Sequence, residues 1–284
     1  MASKSGDADP QAADFDKGPL GRATDYPLTY TPALLHPMNR AAARTSVGVS
    51  SVASVHGEDL WTAYEFSWLN LNGKPEVGGL HMAVDCQSTA IVESKSVKLY
   101  LNSFSQTRFP NRATVLEVLQ ADLSAAFQAA VDVLLLDLVD LMPATQMLSG
   151  ECLDSLDVEV ETYERDVHLL TIDPSRTWAD EQLVTHLFRS LCPVTAQPDW
   201  ASIVVGYCGT PMSHEGLLKY LISYRNHQAF HETTIEQIYC DLRDAFSPER
   251  LTIYGRFQRR GGLDINPFRA SFEAQAPLCR LPRQ

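Results

Sequence analysis

Alternating apolar and polar residues predict two pairs of β-strands in this chain. Residues 60–69 and 77–84 alternate in this way, and a polar turn with Asn, Gly and Pro joins them. Residues 251–259 and 263–268 have the same strand character and are joined through a Gly-Gly pair. Because the connection within each pair is short, each pair can form an antiparallel hairpin.

Helical periodicity separates these strand pairs. Thr114 precedes Glu117, and Thr233 precedes Glu236, at the spacing of a capping box. Apolar residues then recur at three- and four-residue steps, which predicts an amphipathic helix after each box, with a shorter helix before it. Strand pairs around helix pairs predict an α+β fold, with helices on one face of an antiparallel sheet.

The helical segment occurs twice in the sequence. Residues 98–109 align without a gap with residues 219–230, and the register resumes at the two capping boxes after a two-residue gap. The copies differ where chemistry is expected, because Phe230-His231-Glu232 aligns with Phe109-Pro110-Asn111. Only the second copy has a titratable pair there.

The repeat divides the chain into three parts. Residues 1–30 are expected to form an N-terminal tail, because they start with a small, polar stretch. Residues 31–145 form the first module and residues 146–284 the second, with the boundary in the polar stretch 142–157.

Composition limits the class of protein. The 284 residues are 45% hydrophobic, which is enough for a packed core. A formal net charge of −12 argues against a protein that binds long nucleic acids. The six cysteines are far apart and form no Cys-x-x-Cys pair, so neither a disulfide framework nor a zinc ribbon is indicated. Without a signal peptide or a long apolar stretch, the sequence predicts a soluble cytoplasmic protein with no membrane contact.

One segment carries candidate chemistry. Cys192 and Asp199 are seven residues apart, and Pro193 and Pro198 lie between them. Each proline restricts its own backbone and that of the preceding residue, which places Cys192 in extended backbone or a turn. A thiolate nucleophile needs a nearby group that handles its proton. Taken by itself, however, the segment is also typical of a buried structural cysteine.

Four motifs together resemble a known family. They are Glu93-Ser94-Lys95-Ser96-Val97-Lys98-Leu99-Tyr100-Leu101-Asn102-Ser103-Phe104, the segment of Cys192, Phe230-His231-Glu232, and the run from Arg260 to Pro267. In this order they resemble the nitrile reductases of the queuosine pathway, in their long, two-module form. The resemblance implies tandem tunnelling-fold modules, in which an antiparallel sheet with a helix pair on one face is duplicated. It also implies a small deazapurine substrate, no direct binding of tRNA, and a homodimer.

The resemblance further implies a reaction. The nitrile of 7-cyano-7-deazaguanine would be reduced to 7-aminomethyl-7-deazaguanine with two NADPH. Cys192 would add to the nitrile carbon to give a covalent thioimide, and Asp199 would transfer protons.

Substrate contacts are implied in both modules. Val92, Glu93 and Ser94 would bind the deazaguanine edge from the first module, and His231 and Glu232 would bind it from the second. On local grounds alone, Glu93 is as well explained by the N-terminus of a helix.

Cofactor contacts are implied at Ser94, Lys95, Arg260 and Gly261. The sequence has no Gly-x-Gly-x-x-Gly fingerprint, so phosphate must be bound in another way. Guanidinium groups suit the 2′-phosphate of NADPH, and Arg256 and Arg259 belong to the same basic cluster or to a basic strand face. If Lys95 and Arg260 contact only the cofactor, substitution of either residue should leave formation of the covalent thioimide adduct unchanged, because that step needs no cofactor.

Two alternatives stay open at this stage. A zinc-dependent cyclohydrolase of the same fold would need a set of metal ligands, and no His, Cys and Asp cluster has the required spacing, so no metal is expected. A non-catalytic module that binds a purine would have no use for the thiol of Cys192.

Overall fold

A single large sheet organises the molecule. In the computed structural model, the described residues are 26–49, 52, 54–141 and 146–284. The strands are β1 (Pro37–Asn39), β2 (His56–Leu69), β3 (Pro75–Asp85), β4 (Ala90–Val92), β5 (Val131–Leu136), β6 (Glu151–Cys152), β7 (Ala179–Leu191), β8 (Pro198–Gly209), β9 (Arg250–Phe257) and β10 (Leu263–Ala270). The large sheet has the order β5-β3-β2-β10-β9-β8-β7-β6, and β1 pairs separately with β4.

Strand β10 joins the two halves of this sheet. It pairs with β2 over its whole length, for example Ile265 opposite Trp61, and with β9 at Phe268 opposite Tyr254. Neighbouring strands are antiparallel except for the short β6, which is parallel to β7. The predicted strand pairs are therefore confirmed, with ends that differ by a few residues. The sequence did not predict β5, β7 or β8.

The described residues form five α-helices beside the sheet. They are α1 (Arg40–Ser46), α2 (Ser94–Asn102), α3 (Arg112–Phe127), α4 (His214–Ile222) and α5 (His231–Phe246). Helices α2 and α3 pack on β2, β3 and β5, and α4 and α5 pack on β7, β8 and β9. None of the helices in the described part of the chain has the length and apolar character needed to cross a lipid bilayer.

All four long helices cover the same face of the sheet. Along β2, Trp61 packs among the helices, whereas its neighbour Leu60 belongs to a cluster on the opposite face. The C-terminal segment contributes Ala276 and Cys279 to that second cluster. The predicted α+β class, with helices on one face of an antiparallel sheet, is confirmed.

Both predicted capping boxes are wrong. Helix α3 begins earlier, because the side chain of Asn111 accepts a hydrogen bond from the backbone N–H of Thr114. An Asn at this position is among the most favourable N-caps, so the helix extends back to it. Helix α5 begins at His231, and Glu236 lies inside it, where it belongs to a buried ion network.

The register of the internal repeat also needs a correction. The hydroxyl of Tyr100 donates to Asp122, and the hydroxyl of Tyr220 donates to Asp241. These matching contacts make Tyr100 and Tyr220 equivalent, whereas the gap-free sequence alignment pairs Tyr100 with Leu221. The alignment of α2 with α4 is therefore shifted by one residue.

A buried ion network connects the two halves on the face of the sheet that the helices cover. Arg269 Nη2 lies 2.7 Å from Asp59 Oδ1 and 2.9 Å from Glu236 Oε1. Arg40 Nη2 lies 2.8 Å from Asp59 Oδ2, and Arg44 Nη2 lies 2.9 Å from Glu236 Oε1. Since Arg40 and Asp59 come from the first half and Arg269 from the second, this network fixes the halves relative to each other.

Parts of two sequence expectations fall outside the described residues. Residues 1–25 of the predicted tail and residues 142–145 of the predicted module boundary are among them. Within the described part, Tyr30 donates a hydrogen bond to Asp122, so the chain is already packed on α3 at this position.

Candidate active site

A cleft of about 500 Å³ contains nearly all of the predicted site residues. From the first half, Val92, Ser94 and Lys95 line it. From the second half, its walls include Cys192, Asp199, His231, Glu232, Arg260 and Gly261. Its size is in the usual range for small-molecule sites. The cleft lies between the halves, so neither half forms it alone.

The loop that carries Cys192 is tightly closed. The backbone N–H of Cys192 donates to the carbonyl of Gln197 (2.9 Å), and the N–H of Ala196 donates back to the carbonyl of Cys192 (3.0 Å). Ala196 has a φ of 53°, a left-handed conformation that lets the chain reverse between β7 and β8. The predicted turn is confirmed, and it places Cys192, which is 6% exposed as a residue, at the wall of the cleft.

Asp199 lies at the start of β8 among positive charges. His231 Nε2 is 3.3 Å and Arg260 Nε is 3.0 Å from Asp199 Oδ1. Burial alone would raise the pKa of Asp199, but the charges of His231, Arg260 and Lys98 outweigh it and lower this pKa below its ordinary value. The carboxyl group is therefore held ionised in a nearly water-free position.

The orientation of His231 is set by its surroundings. Its ring stacks on Phe257 with 3.8 Å between ring centroids and an interplanar angle of 5°. Its Nδ1 lies 3.3 Å from the carbonyl of Ile265, so Nδ1 carries a proton and donates it. Nε2 is then directed at Asp199. The sequence predicted His231 as a substrate contact, and the structure adds a direct contact with Asp199, the predicted proton-transfer residue.

Glu232 is the neighbouring wall of the cleft and is almost completely buried. Burial raises the pKa of Glu232 to about 7, and the negative charge of Asp59 acts in the same direction. A carboxyl group with this pKa changes its charge near neutral pH, so its hydrogen-bonding role depends on pH.

Glu93 has a different position from the other predicted residues. It is the N-cap of α2, and its carboxylate accepts hydrogen bonds from the backbone N–H groups of Lys95 (2.5 Å) and Ser96 (2.9 Å). The side chain is buried behind the cleft, while its neighbours Val92 and Ser94 line the cleft. The helix-terminus interpretation of Glu93 is confirmed, and its contact with the base stays a prediction.

Lys98 lines the cleft and was not predicted as a site residue. Burial lowers the pKa of Lys98, and the positive charge of Arg260 lowers it further. The available signal was its spacing, because Lys98 lies one helical turn after Lys95 on the same face of α2. A Cβ atom at Gly261 would lie 3.5 Å from Lys98 Cδ, so the glycine turn keeps close contact with this side chain.

The two alternative arginines have different surroundings. Arg259 lines the cleft, with its guanidinium 4.9 Å from the ring centroid of Tyr64. Arg256 points to the other face, where its Nε donates to the side chain of Gln284 (3.0 Å). Strand alternation explains the direction of Arg256, because it precedes Phe257 in β9 and Phe257 stacks on His231. Arg256 is therefore wrong as a candidate for this cleft.

Comparison with family models and with similar known proteins identifies the family. Residues 26–135 match the model "Nitrile reductase, 7-cyano-7-deazaguanine-reductase N-term", and residues 198–276 match the model "QueF-like protein". The chain is 46% identical over 266 residues to the NADPH-dependent 7-cyano-7-deazaguanine reductase of Hahella chejuensis, covering 93% of this chain and 97% of that protein. It is 48% identical over 261 residues to the enzyme of that name from Bordetella avium, covering 91% and 95% of the two chains. The chain belongs to the 7-cyano-7-deazaguanine reductase family.

Membership in this family agrees with the position of the four motifs. All of them supply residues to the cleft or to the helix start behind it. The two relatives match 93% and 91% of this chain, so the similarity extends over both halves and not over one of them. The resemblance found from the motifs is confirmed.

Outside the cleft, a group of three side chains could bind a metal ion. Atoms of Cys152, Asp154 and His186 that could bind a metal lie within 4.8 Å of one another. The sequence did not reveal this group because His186 is distant along the chain. Asp154 accepts hydrogen bonds from the hydroxyl of Thr185 (2.6 Å) and the N–H of His186 (3.1 Å), which stabilises the irregular part of β7. None of these residues lines the cleft.

Proposed function

We propose that this chain reduces the nitrile of 7-cyano-7-deazaguanine to the primary amine, with Cys192 as nucleophile. The observation that carries the proposal is the meeting of a thiol, a buried carboxylate and a histidine at one wall of a cleft. A non-catalytic purine-binding module would have no use for the thiol. The relatives are named as reductases, which favours this reading over a cyclohydrolase.

The covalent step follows from the position of these groups. The sulfur of Cys192 bonds to the nitrile carbon, one π bond of the nitrile opens, and the nitrogen gains a proton while the thiol loses one. Asp199 is the proton carrier beside the thiol, and His231 supports it through Nε2. The product is a thioimide, in which the carbon accepts hydride more readily than in the nitrile.

Substrate recognition falls to residues on both walls. The ionised carboxylate of Glu232 accepts N–H groups of the deazaguanine edge, and the backbone at Val92 and Ser94 completes the contact. Glu93 supports this edge from behind, because it fixes the first turn of α2.

The cleft suits an anionic dinucleotide. Although the chain is acidic overall, Lys95, Lys98, Arg259 and Arg260 all line this one cleft. Ser94, Lys95, Arg260 and Gly261 would hold NADPH, with the cationic groups at its phosphates. When bound, NADPH supplies hydride, twice per nitrile, because the reduction takes four electrons. Lys98 adds a further cation to this wall.

The two halves support a tandem tunnelling-fold arrangement with modules 31–145 and 146–284. Helices α3 and α5 both have 16 residues, and both β2 and β7 contain an irregularity in their pairing with the next strand. A homodimer, a cytoplasmic location and the absence of direct tRNA contact stay predictions from the sequence.

Intact-mass measurement tests the reaction. We expect the protein, incubated with 7-cyano-7-deazaguanine without NADPH, to gain one adduct whose mass equals that of the whole nitrile, since no group leaves. Cys192→Ala should gain none, whereas Cys152→Ser, a change at an exposed thiol, should gain it normally. An unmodified parent protein, or an adduct on Cys192→Ala, would refute the proposal.

A further inference from the structure

Arg260 makes contacts that a cofactor-binding residue does not need. Its Nε lies 3.0 Å from Asp199 Oδ1, and its Nη2 donates hydrogen bonds to the carbonyls of Gln197 (3.1 Å) and Pro198 (3.2 Å). One guanidinium group therefore holds the carboxylate and the two backbone carbonyls that precede it. The planar fork of arginine suits such a bridge, which lysine could not form in the same way.

The carbonyl of Gln197 links Arg260 to the nucleophile. The same oxygen accepts the backbone N–H of Cys192 (2.9 Å) and the Nη2 of Arg260. Both ends of the loop between Cys192 and Asp199 are thus connected to one side chain. A change at Arg260 would loosen this loop even when the cleft is empty of cofactor.

The backbone of Arg260 is itself well fixed. Its N–H donates to the carbonyl of Leu263 (2.8 Å), across a turn in which Gly261 and Gly262 have φ values of 59° and 79°. Glycine allows these left-handed conformations without strain. The guanidinium therefore starts from a rigid turn, and its side chain is 23% exposed in contrast to the buried Asp199.

The charges around Asp199 show what Arg260 contributes. His231 faces the carboxylate from α5, Lys98 from α2 and Arg260 from the turn after β9, while Cys192 lies in the same cleft. Asp199 Oδ1 and Arg260 Nε lie at ion-pair distance, but neither has an aligned hydrogen-bond partner among the described residues. The carboxylate is thus held by charge and stays open to a further proton donor.

We propose that Arg260 is a positioning residue for the covalent step, which holds Asp199 and the loop of Cys192 in the arrangement that addition to the nitrile requires. This inference rests on the proposed function. It differs from the role that the sequence assigned to Arg260, because a pure cofactor contact would leave adduct formation unchanged. The addition involves no oxidation or reduction, so it can be observed without NADPH.

The rate of adduct formation without NADPH, measured by intact mass over a range of pH, tests this inference. We expect Arg260→Gln to slow adduct formation by about tenfold or more, which is less than the roughly 10²- to 10⁴-fold that a proton-transfer group itself contributes, because Arg260 acts through Asp199. Since removal of a cation raises the pKa of Asp199, the loss of rate at acidic pH should also begin at a higher pH than in the parent. Arg112→Gln and Arg250→Gln, changes at two exposed cations outside the cleft, should leave both rate and pH profile unchanged.

Two outcomes for Arg260→Gln would overturn the inference. A parent-like rate and pH profile for Arg260→Gln would leave Arg260 as a cofactor ligand only. A slower rate with the parent's pH profile would indicate a loosened loop without an effect on Asp199. If the parent forms no adduct, the proposed function fails instead, so the two failures are distinguishable.

A double-mutant cycle shows whether Arg260 acts through Asp199. In an Asp199→Asn background, Arg260→Gln should slow adduct formation little further, because the group that it positions is already disabled. Fully additive effects would contradict the proposal. Arg260→Lys keeps the charge but not the fork, so it should restore the parent's pH profile with only part of its rate. This variant also provides the test if Arg260→Gln does not fold.

Discussion

The two halves of the molecule share a framework and differ at one helix start. Helices α3 and α5 have equal length, and both end at a residue in the left-handed conformation, Gln128 and Ser247. At the other end, Asn111 caps α3 with its side chain, whereas Phe230 provides no side-chain cap for α5. The first turn of α3 serves stability. The first turn of α5 instead presents His231 and Glu232 to the cleft.

The opposite ends of these helices show how similar the halves otherwise are. Asp122 in α3 accepts the hydroxyl of Tyr100, and Asp241 in α5 accepts the hydroxyl of Tyr220. Two carboxylates at matching positions thus have the same structural role. Asp199 differs from both, because it lines the cleft and lies among the positive charges of His231, Arg260 and Lys98.

The largest expected effect concerns this difference between carboxylates. Asp199→Asn should slow adduct formation by about 10²- to 10⁴-fold, because an amide cannot exchange the proton that the carboxylate carries. The rate is measured by intact mass without NADPH. Asp122→Asn, at the structural carboxylate of the first half, should form the adduct at the parent's rate. Equal rates for Asp199→Asn and the parent would mean that Asp199, like Asp122, has no role in adduct formation.

The next effect concerns the contact between the halves. Asp59→Ala would leave Arg40 and Arg269 without their carboxylate in a fully buried position, which costs roughly 3–5 kcal/mol in the free energy of unfolding. Urea denaturation measures this loss. As a control, Asp137→Ala breaks the exposed pair with Arg112 and should cost at most about 1 kcal/mol. Similar losses for both variants would mean that the buried network does not hold the halves together.

A third prediction uses the pH dependence of Glu232. Its pKa is raised to about 7 and its ionised form accepts N–H groups of the base, so base affinity should fall as the pH is lowered through neutrality. Calorimetry with Cys192→Ala measures this binding without adduct formation. Glu232→Gln should bind more weakly at high pH and lose most of the pH dependence. If the base affinity of the Cys192→Ala protein does not change with pH, a group other than Glu232 binds the base.

The smallest effect tests the cap that only the first half has. Asn111→Ala should lower the free energy of unfolding by about 1 kcal/mol, because the N–H of Thr114 loses its acceptor. Gln120→Ala, at an exposed position of the same helix, should leave stability nearly unchanged. Adduct formation should be normal in both variants. A slower adduct rate for Asn111→Ala would mean that the start of α3 also serves the site.

Local sequence patterns were sufficient for much of the fold. Strands β2, β3, β9 and β10 could be predicted because alternation along a strand depends only on near neighbours. The helix starts could not, because Thr114 and Thr233 have the spacing of a cap but lie inside longer helices. The local cap Asn111 sets the start of α3, and Glu236 lies inside α5 in the buried ion network.

The sequence by itself, through its resemblance to a known family, predicted Cys192, Asp199, His231 and Arg260 as site residues, and all four line one cleft. Only the tertiary structure decided how they are related. It pairs Arg260 with Asp199 and turns Arg256 to the other face of the sheet. The physical reason is that a pairing between distant residues depends on strand register and side-chain direction, which no local pattern specifies.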